Sequence, residues 1–174
     1  RISSSPSKLR ASSSTSISTT PLTLEQVFEY FMEMDEAREL LTDISKLSPS
    51  ELLFVVDVRL PRSEMDWARK KVRLTRKGWG GAYSMIRYRM DRAALGKDPY
   101  TNYTFQEILD EGGICMDQAY FAVNTAKCNG IPSAYVTGDG NRGPHAWVNL
   151  LTTDETWQSY GCLLYTSDAA DEAR

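Results

Sequence analysis

Cys115 stands directly behind Gly112-Gly113-Ile114, and the chain's one histidine, His145, follows thirty residues later in "HAWVNL". Thiol and imidazole are the two parts of an activated sulfur nucleophile. A free cysteine titrates near pH ~8.5 and is only a few per cent thiolate at neutral pH. Two neighbours correct that: the unpaired N–H groups and positive end of a helix start, and an adjacent imidazolium. The imidazole then returns a proton to a leaving amine, while the helix-start N–H groups hold the oxyanion of an acyl intermediate. Two glycines in front let a substrate carbonyl approach the backbone without meeting a β-carbon.

Singly, a helix-start cysteine or a strand histidine is an ordinary structural residue. Together they point to nucleophilic chemistry. A disulfide between Cys115 and Cys128 is the rival reading. A helix over that stretch spans about 20 Å, and a disulfide bridges at most about 7 Å between α-carbons, so a continuous helix excludes it. A zinc site takes about four ligands, often in paired short spacings. One histidine and three cysteines without such spacing give no metal site, and no cofactor is expected.

The elements that position the pair are legible around it. The Cys115 helix runs to a stop at Gly130 and Pro132, with Ala119, Ala122, Val123 and Ala126 on its packing face. On the following strand alternate residues share a face. Ala146, Val148 and Leu150 turn to a core; His145, Trp147 and Asn149 turn to a cleft wall, which makes Trp147 a candidate substrate contact. "SAYVT" and "ETWQSY" are further strands, joined through "GDGNRGP" and "TTD".

Upstream, Thr23-x-x-Gln26, Ser48-x-x-Glu51 and Thr104-x-x-Glu107 have the form of capping boxes. After the first, Leu24, Val27, Phe28, Phe31, Met34, Leu41 and Ile44 form an apolar stripe for the core. "LLFVVDV" is a short helix or a buried strand, and Ser63-x-x-Asp66 opens a basic helix. A helix through Tyr83, Ile86, Tyr88 and Met90 follows Gly78–Gly81, and "FQEILDE" stops at Gly112-Gly113. Helices first and strands afterwards give an α+β domain, helices packed on an antiparallel sheet.

At 174 residues, 41% hydrophobic and 25% charged, the chain has the composition of one globular domain. No run approaches the roughly 18 apolar residues of a membrane helix. The net charge of −3 gives no reason to expect nucleic acid. Arg69, Lys70, Lys71, Arg73, Arg76 and Lys77, near Trp67 and Trp79, form a basic cluster; within an acidic domain it reads as a solvated helix face. Residues 1–20, with nine serines, read as a disordered linker, and 21–77 as a helical N-terminal extension. Residues 78–161 hold the chemistry. "CLLYTSDAADE", from Cys162, resembles the translation of a transposon end and adapter used in DNA library preparation. Residues 162–174 therefore read as a non-native tail and the core as incomplete.

"GGICMDQAYFAVNTAKCNGIPSAYVTGDGNRGPHAWVNL" resembles the core of the transglutaminase-like superfamily. The shared elements are Gly-x-Cys at a helix start, a helix closing on Gly-Ile-Pro, a strand, and a His-Ala-Trp-Val strand. "YTFQEILDEGG" is similar to the family's lead-in helix, so the likeness covers roughly 81–161. It implies a papain-like core in which Cys115 is nucleophile and His145 is base. The implied reaction is on amide bonds of a protein or peptide substrate through a thioester, with hydrolysis favoured because water needs no second substrate site. The superfamily also holds cross-linkers, deglycosylating amidases and inactive copies, so a catalytically inactive peptide-binding module is the alternative.

The family places an aspartate on the strand after the histidine, a few residues beyond a tryptophan. Trp157 matches that tryptophan, but neither Tyr160 nor Gly161 is acidic, so the third member of the triad is missing. Asp154 is the nearest candidate; it lies in "TTDET", a turn where aspartate is ordinary. A distant tryptophan assists the oxyanion in some relatives, which makes Trp79 a second candidate substrate contact. The resemblance thus predicts a poor enzyme from this chain as it stands.

Overall fold

Local start signals set much of the helical architecture. The computed structural model describes residues 19–161 apart from 141, 142 and 154. Thr23, Ser48 and Thr104 each close a capping box, starting α1 (Leu24–Glu36), α2 (Pro49–Val56) and α6 (Phe105–Glu111). In each, the hydroxyl accepts one orphan N–H of the first turn while the Gln or Glu side chain accepts the cap's own N–H. The run "LLFVVDV" is thereby helical through Val56, and Pro49 supplies a preset first position. α3 (Arg62–Lys71) begins directly after Pro61, one residue ahead of Ser63, and has no side-chain cap.

The α1 stripe divides. Val27, Phe31 and Met34 are buried with Ile44, but Leu24 is 77% and Phe28 63% exposed. Tyr30 takes the core position instead. It is fully buried because its hydroxyl finds partners on α3, donating to Asp66 Oδ1 at 3.3 Å and accepting from Arg69 Nε at 2.8 Å. A buried phenol with partners at its polar tip adds ring area to the core without leaving an unpaired group.

Residues 81–95 form two short helices, α4 (Gly81–Met85) and α5 (Met90–Leu95), where the sequence suggests one through Met90. Between them the backbone pairs with the Gly112-Gly113 turn. Gly113 N–H donates to the Arg87 carbonyl at 2.9 Å, and Arg89 N–H donates to the Gly113 carbonyl at 2.8 Å. A continuous helix would have used those groups internally.

α7 (Cys115–Cys128) is buried along most of its length, including Ala119, Phe121, Ala122, Val123 and Ala126. Phe105 of α6 meets Phe121 edge-on at 5.7 Å, a pairing worth about 0.5–1.5 kcal/mol beyond burial. α7 packs on β1 (Ser133–Gly140) and β2 (Gly143–Leu151), with β3 (Trp157–Tyr160) beyond. The order is β1-β2-β3, antiparallel throughout, with Gly138 opposite His145 and Leu151 opposite Trp157. Ala146, Val148 and Leu150 are buried in the core shared with α7, as strand alternation requires. Among the described residues this is an α+β fold, seven helices packed on a three-stranded antiparallel sheet.

Candidate active site

The turn before Cys115 is fixed by a glycine that no other residue can replace. Gly112 has φ +73°, and a β-carbon there would lie 2.4 Å from the Arg87 carbonyl oxygen. Only glycine allows the chain to leave α6, run against 87–89 and enter α7 at this angle. Cys115 is then the first residue of α7 and is only partly buried. Asp117 and Gln118 N–H both donate to the Ile114 carbonyl at 3.0 Å. The N–H groups of Cys115 and Met116, one turn too early, have no intrahelical acceptor.

β1 and β2 supply the facing wall. A cleft of about 450 Å³ is lined by Ile114, Cys115 and Met116 on one side and by Thr137, Asp139 and His145 on the other. The structure thus brings Cys115 and His145 to one cleft. Tyr135, also on β1, lies within electrostatic reach of the sulfur: burial first, and then the Cys115 charge, push its phenol above the ordinary value.

His145 Nε2 donates to the main-chain carbonyl of Gly161, at 2.5 Å. A carbonyl oxygen only accepts, so Nε2 carries the hydrogen and the neutral ring keeps its lone pair on Nδ1. Gly161 has φ +77°, and a β-carbon there would fall 2.5 Å from the Tyr83 ring. Tyr83 in turn donates its hydroxyl to the Ala146 carbonyl at 2.9 Å, next to His145. The acceptor of the His145 ring is therefore a backbone carbonyl, at a residue whose β-carbon would collide with the Tyr83 ring.

Neither tryptophan singled out in the sequence lines the cleft. Trp147 is buried, its ring stacked on His145 with centroids 6.3 Å apart and planes 20° from parallel. Trp79 is fully buried in the core, and its indole Nε1 has no hydrogen-bond partner among the described residues. Asp154 and Cys162–Arg174 lie outside the described residues. Cys128 is a buried free thiol at the other end of α7, and burial pushes its titration far up. The helix between the two cysteines is continuous, so the disulfide is excluded.

Sequence reasoning missed three contributors. The Gly161 carbonyl has no side-chain signature. Asp117 is visible only as an acid in the first turn of the Cys115 helix, and Arg92 as one base among many. Asp117 caps Ile114 N–H locally, but the Arg92–Asp117 and His145–Gly161 contacts are long-range, and no spacing rule connects them. Among the described residues no three His, Cys, Asp or Glu side chains are grouped to hold a metal ion. No described helix is long and apolar enough to cross a membrane.

Residues 65–162 match the family model of the transglutaminase-like superfamily, beginning inside α3. No curated protein matches the chain. Among solved structures, a candidate cysteine protease from Cytophaga hutchinsonii superposes with a TM-score of 0.51 at 19% identity, covering 71% of this chain and 46% of that one. The periplasmic domain of TgpA from Pseudomonas aeruginosa, bound to ethylmercury, gives a TM-score of 0.46 at 17% identity, covering 66% and 49%. The chain spans less than half the length of each of these two structures.

Proposed function

The chain belongs to the transglutaminase-like superfamily, and on that premise we propose that Cys115 opens amide bonds through a thioester, with water as the acceptor. The observation that carries this reading is the shared cleft: a helix-start thiol and an imidazole whose Nε2 is already occupied. Nδ1 takes the thiol proton, and the sulfur attacks the substrate carbonyl carbon. Charge developing on that oxygen meets the free N–H groups of Cys115 and Met116 and the positive end of α7. The C–N bond breaks as Nδ1 returns the proton to the departing amine. Water, deprotonated by the same nitrogen, then attacks the thioester and frees the acid and the thiol. Hydrolysis is preferred over transfer to an amine because only one acyl-binding cleft is needed.

One observation favours a second reading, a binding module that has lost turnover. A carboxylate beside the histidine stabilises its charged form, and losing that role in a related triad costs about 10⁴ in rate. The neutral Gly161 carbonyl orients the ring but offers no counter-charge. An activated ester tests both readings by mass spectrometry. The expected result is an acyl adduct on the Cys115 peptide, absent in Cys115→Ser and discharged by water at a rate that added methylamine leaves unchanged. No adduct on the native chain favours the binding module, and methylamine incorporation favours transfer.

A further inference from the structure

The Cys115 turn contains a buried ion pair that the reaction scheme does not use. Asp117, two residues beyond the thiol, is almost wholly enclosed. Its Oδ2 accepts from Ile114 N–H at 2.8 Å and its Oδ1 accepts from the Tyr103 hydroxyl at 2.9 Å. Oδ2 also pairs with Arg92 of α5, whose side chain is only 12% exposed. The Arg92 guanidinium lies 5.0 Å from the Tyr100 ring, and the Tyr100 hydroxyl donates to the Gly112 carbonyl at 2.7 Å. The ion pair and the three hydrogen bonds all land on residues 112–117, the segment that presents the sulfur, and the guanidinium–ring contact links Arg92 to Tyr100.

We infer that Arg92 and Asp117 together form the positioning device of the Cys115 turn, the carboxylate holding its backbone and the guanidinium cancelling the carboxylate's charge at the sulfur. This rests on reading Cys115 as the nucleophile. By accepting Ile114 N–H, Asp117 fixes the residue in front of the thiol and leaves the next two N–H groups for the oxyanion. An uncompensated carboxylate at this place would oppose the helix dipole and disfavour the thiolate. Removing one partner of a buried pair leaves the other charge exposed to its neighbours. Among the described residues, the other ionisable groups around the turn are His145 on β2, Tyr135 and Asp139 on β1, Tyr88 paired with Gly113, and Tyr100 and Tyr103, with Tyr120 packed on Tyr103. Arg89 is spoken for by Asp91 and Glu111, and Arg87 bonds the Glu111 carbonyl. Among the described residues Arg92 alone forms an ion pair with Asp117.

The test is the pH dependence of Cys115 alkylation by iodoacetamide in the full chain, mapped by peptide. Arg92→Gln should move the midpoint up by about one pH unit, about tenfold slower at neutral pH. Asp117→Asn should move it down, because the guanidinium is then unopposed. The double variant should return close to the native midpoint. A scaffold role alone would shift both single variants the same way or leave the midpoint in place, and either result overturns the inference. Buried Cys128 reports folding in the same maps. Should Arg92→Gln expose it, Arg92→Lys against Asp117→Asn carries the test: the lysine variant keeps the charge and the native midpoint, and a midpoint shifted up in it overturns the inference. The readout needs no turnover. Opposite shifts without an acyl adduct would sink the nucleophile and spare this pair; an adduct without the shifts would do the reverse.

Discussion

Cys115 and Cys128 open and close the same fourteen-residue helix. At the first end the chain arrives through a glycine turn, N–H groups are left over, and a cleft reaches the sulfur. At the other end the thiol is fully enclosed, and burial followed by the nearby Glu64 charge pushes its titration upward. Lys127 beside it is buried too and pairs with Asp57 of the α2 cap. One helix thus gives an identical side chain two fates. What differs is the end of the dipole and the access, neither of which is a property of cysteine itself.

The sharpest way to break that comparison is selective alkylation of the folded chain. At neutral pH Cys115 should react at least about 100-fold faster than Cys128, because the buried thiol is reached only through an opening of the core. In denaturant the two rates should converge. Comparable rates in the folded chain would dissolve the contrast between the two ends.

The next effect concerns the acceptor of His145. Gly161→Ala places a β-carbon against the Tyr83 ring at a positive φ, which should cost about 1–3 kcal/mol of stability in a urea melt. It should also slow Cys115 alkylation at neutral pH while Cys128 stays silent. A variant as stable as the native chain, with unchanged Cys115 labelling, would mean the Gly161 carbonyl positions nothing.

The smallest effect sharpens the far end. Glu64 of α3 accepts Phe105 N–H at 2.7 Å, yet burial holds its carboxyl above the ordinary value. A raised folded value means that the protonated form suits the fold. Its contribution is therefore full below the unfolded value of 4.5 and declines as pH rises through the folded one. Glu64→Gln should flatten that decline in melting temperature above pH 4.5. A steeper decline would reverse the sign of this argument.

Local chemistry explains what could be read in advance. Thr23, Ser48 and Thr104 announce their helices because a capping box involves only four consecutive residues. Ala119, Ala122 and Ala126 announce the packing face of α7 through period alone. The break at Ile86 was hidden, since its cause is pairing with Gly113, far along the chain. Phe28 and Tyr30 exchange roles for the same reason: the phenol is buried only because α3 brings Asp66 and Arg69 to it. In the site, Cys115 and His145 carry reactive side chains and could be named from type and spacing. Trp147 shares a face with His145 and stacks on its ring, and Asp117, a local cap on Ile114 N–H, is joined from afar by Arg92 and Tyr103.

The acceptor beside His145 belongs to the main chain, and this has a consequence for heredity. No codon encodes a carbonyl, and no substitution deletes one. Mutation reaches this contact only by moving the backbone, through the crowded space between Gly161 and Tyr83. Positions 161 and 83 are thereby tied to one another by shape alone, and the imidazole takes its orientation from a glycine that has nothing to lose but room.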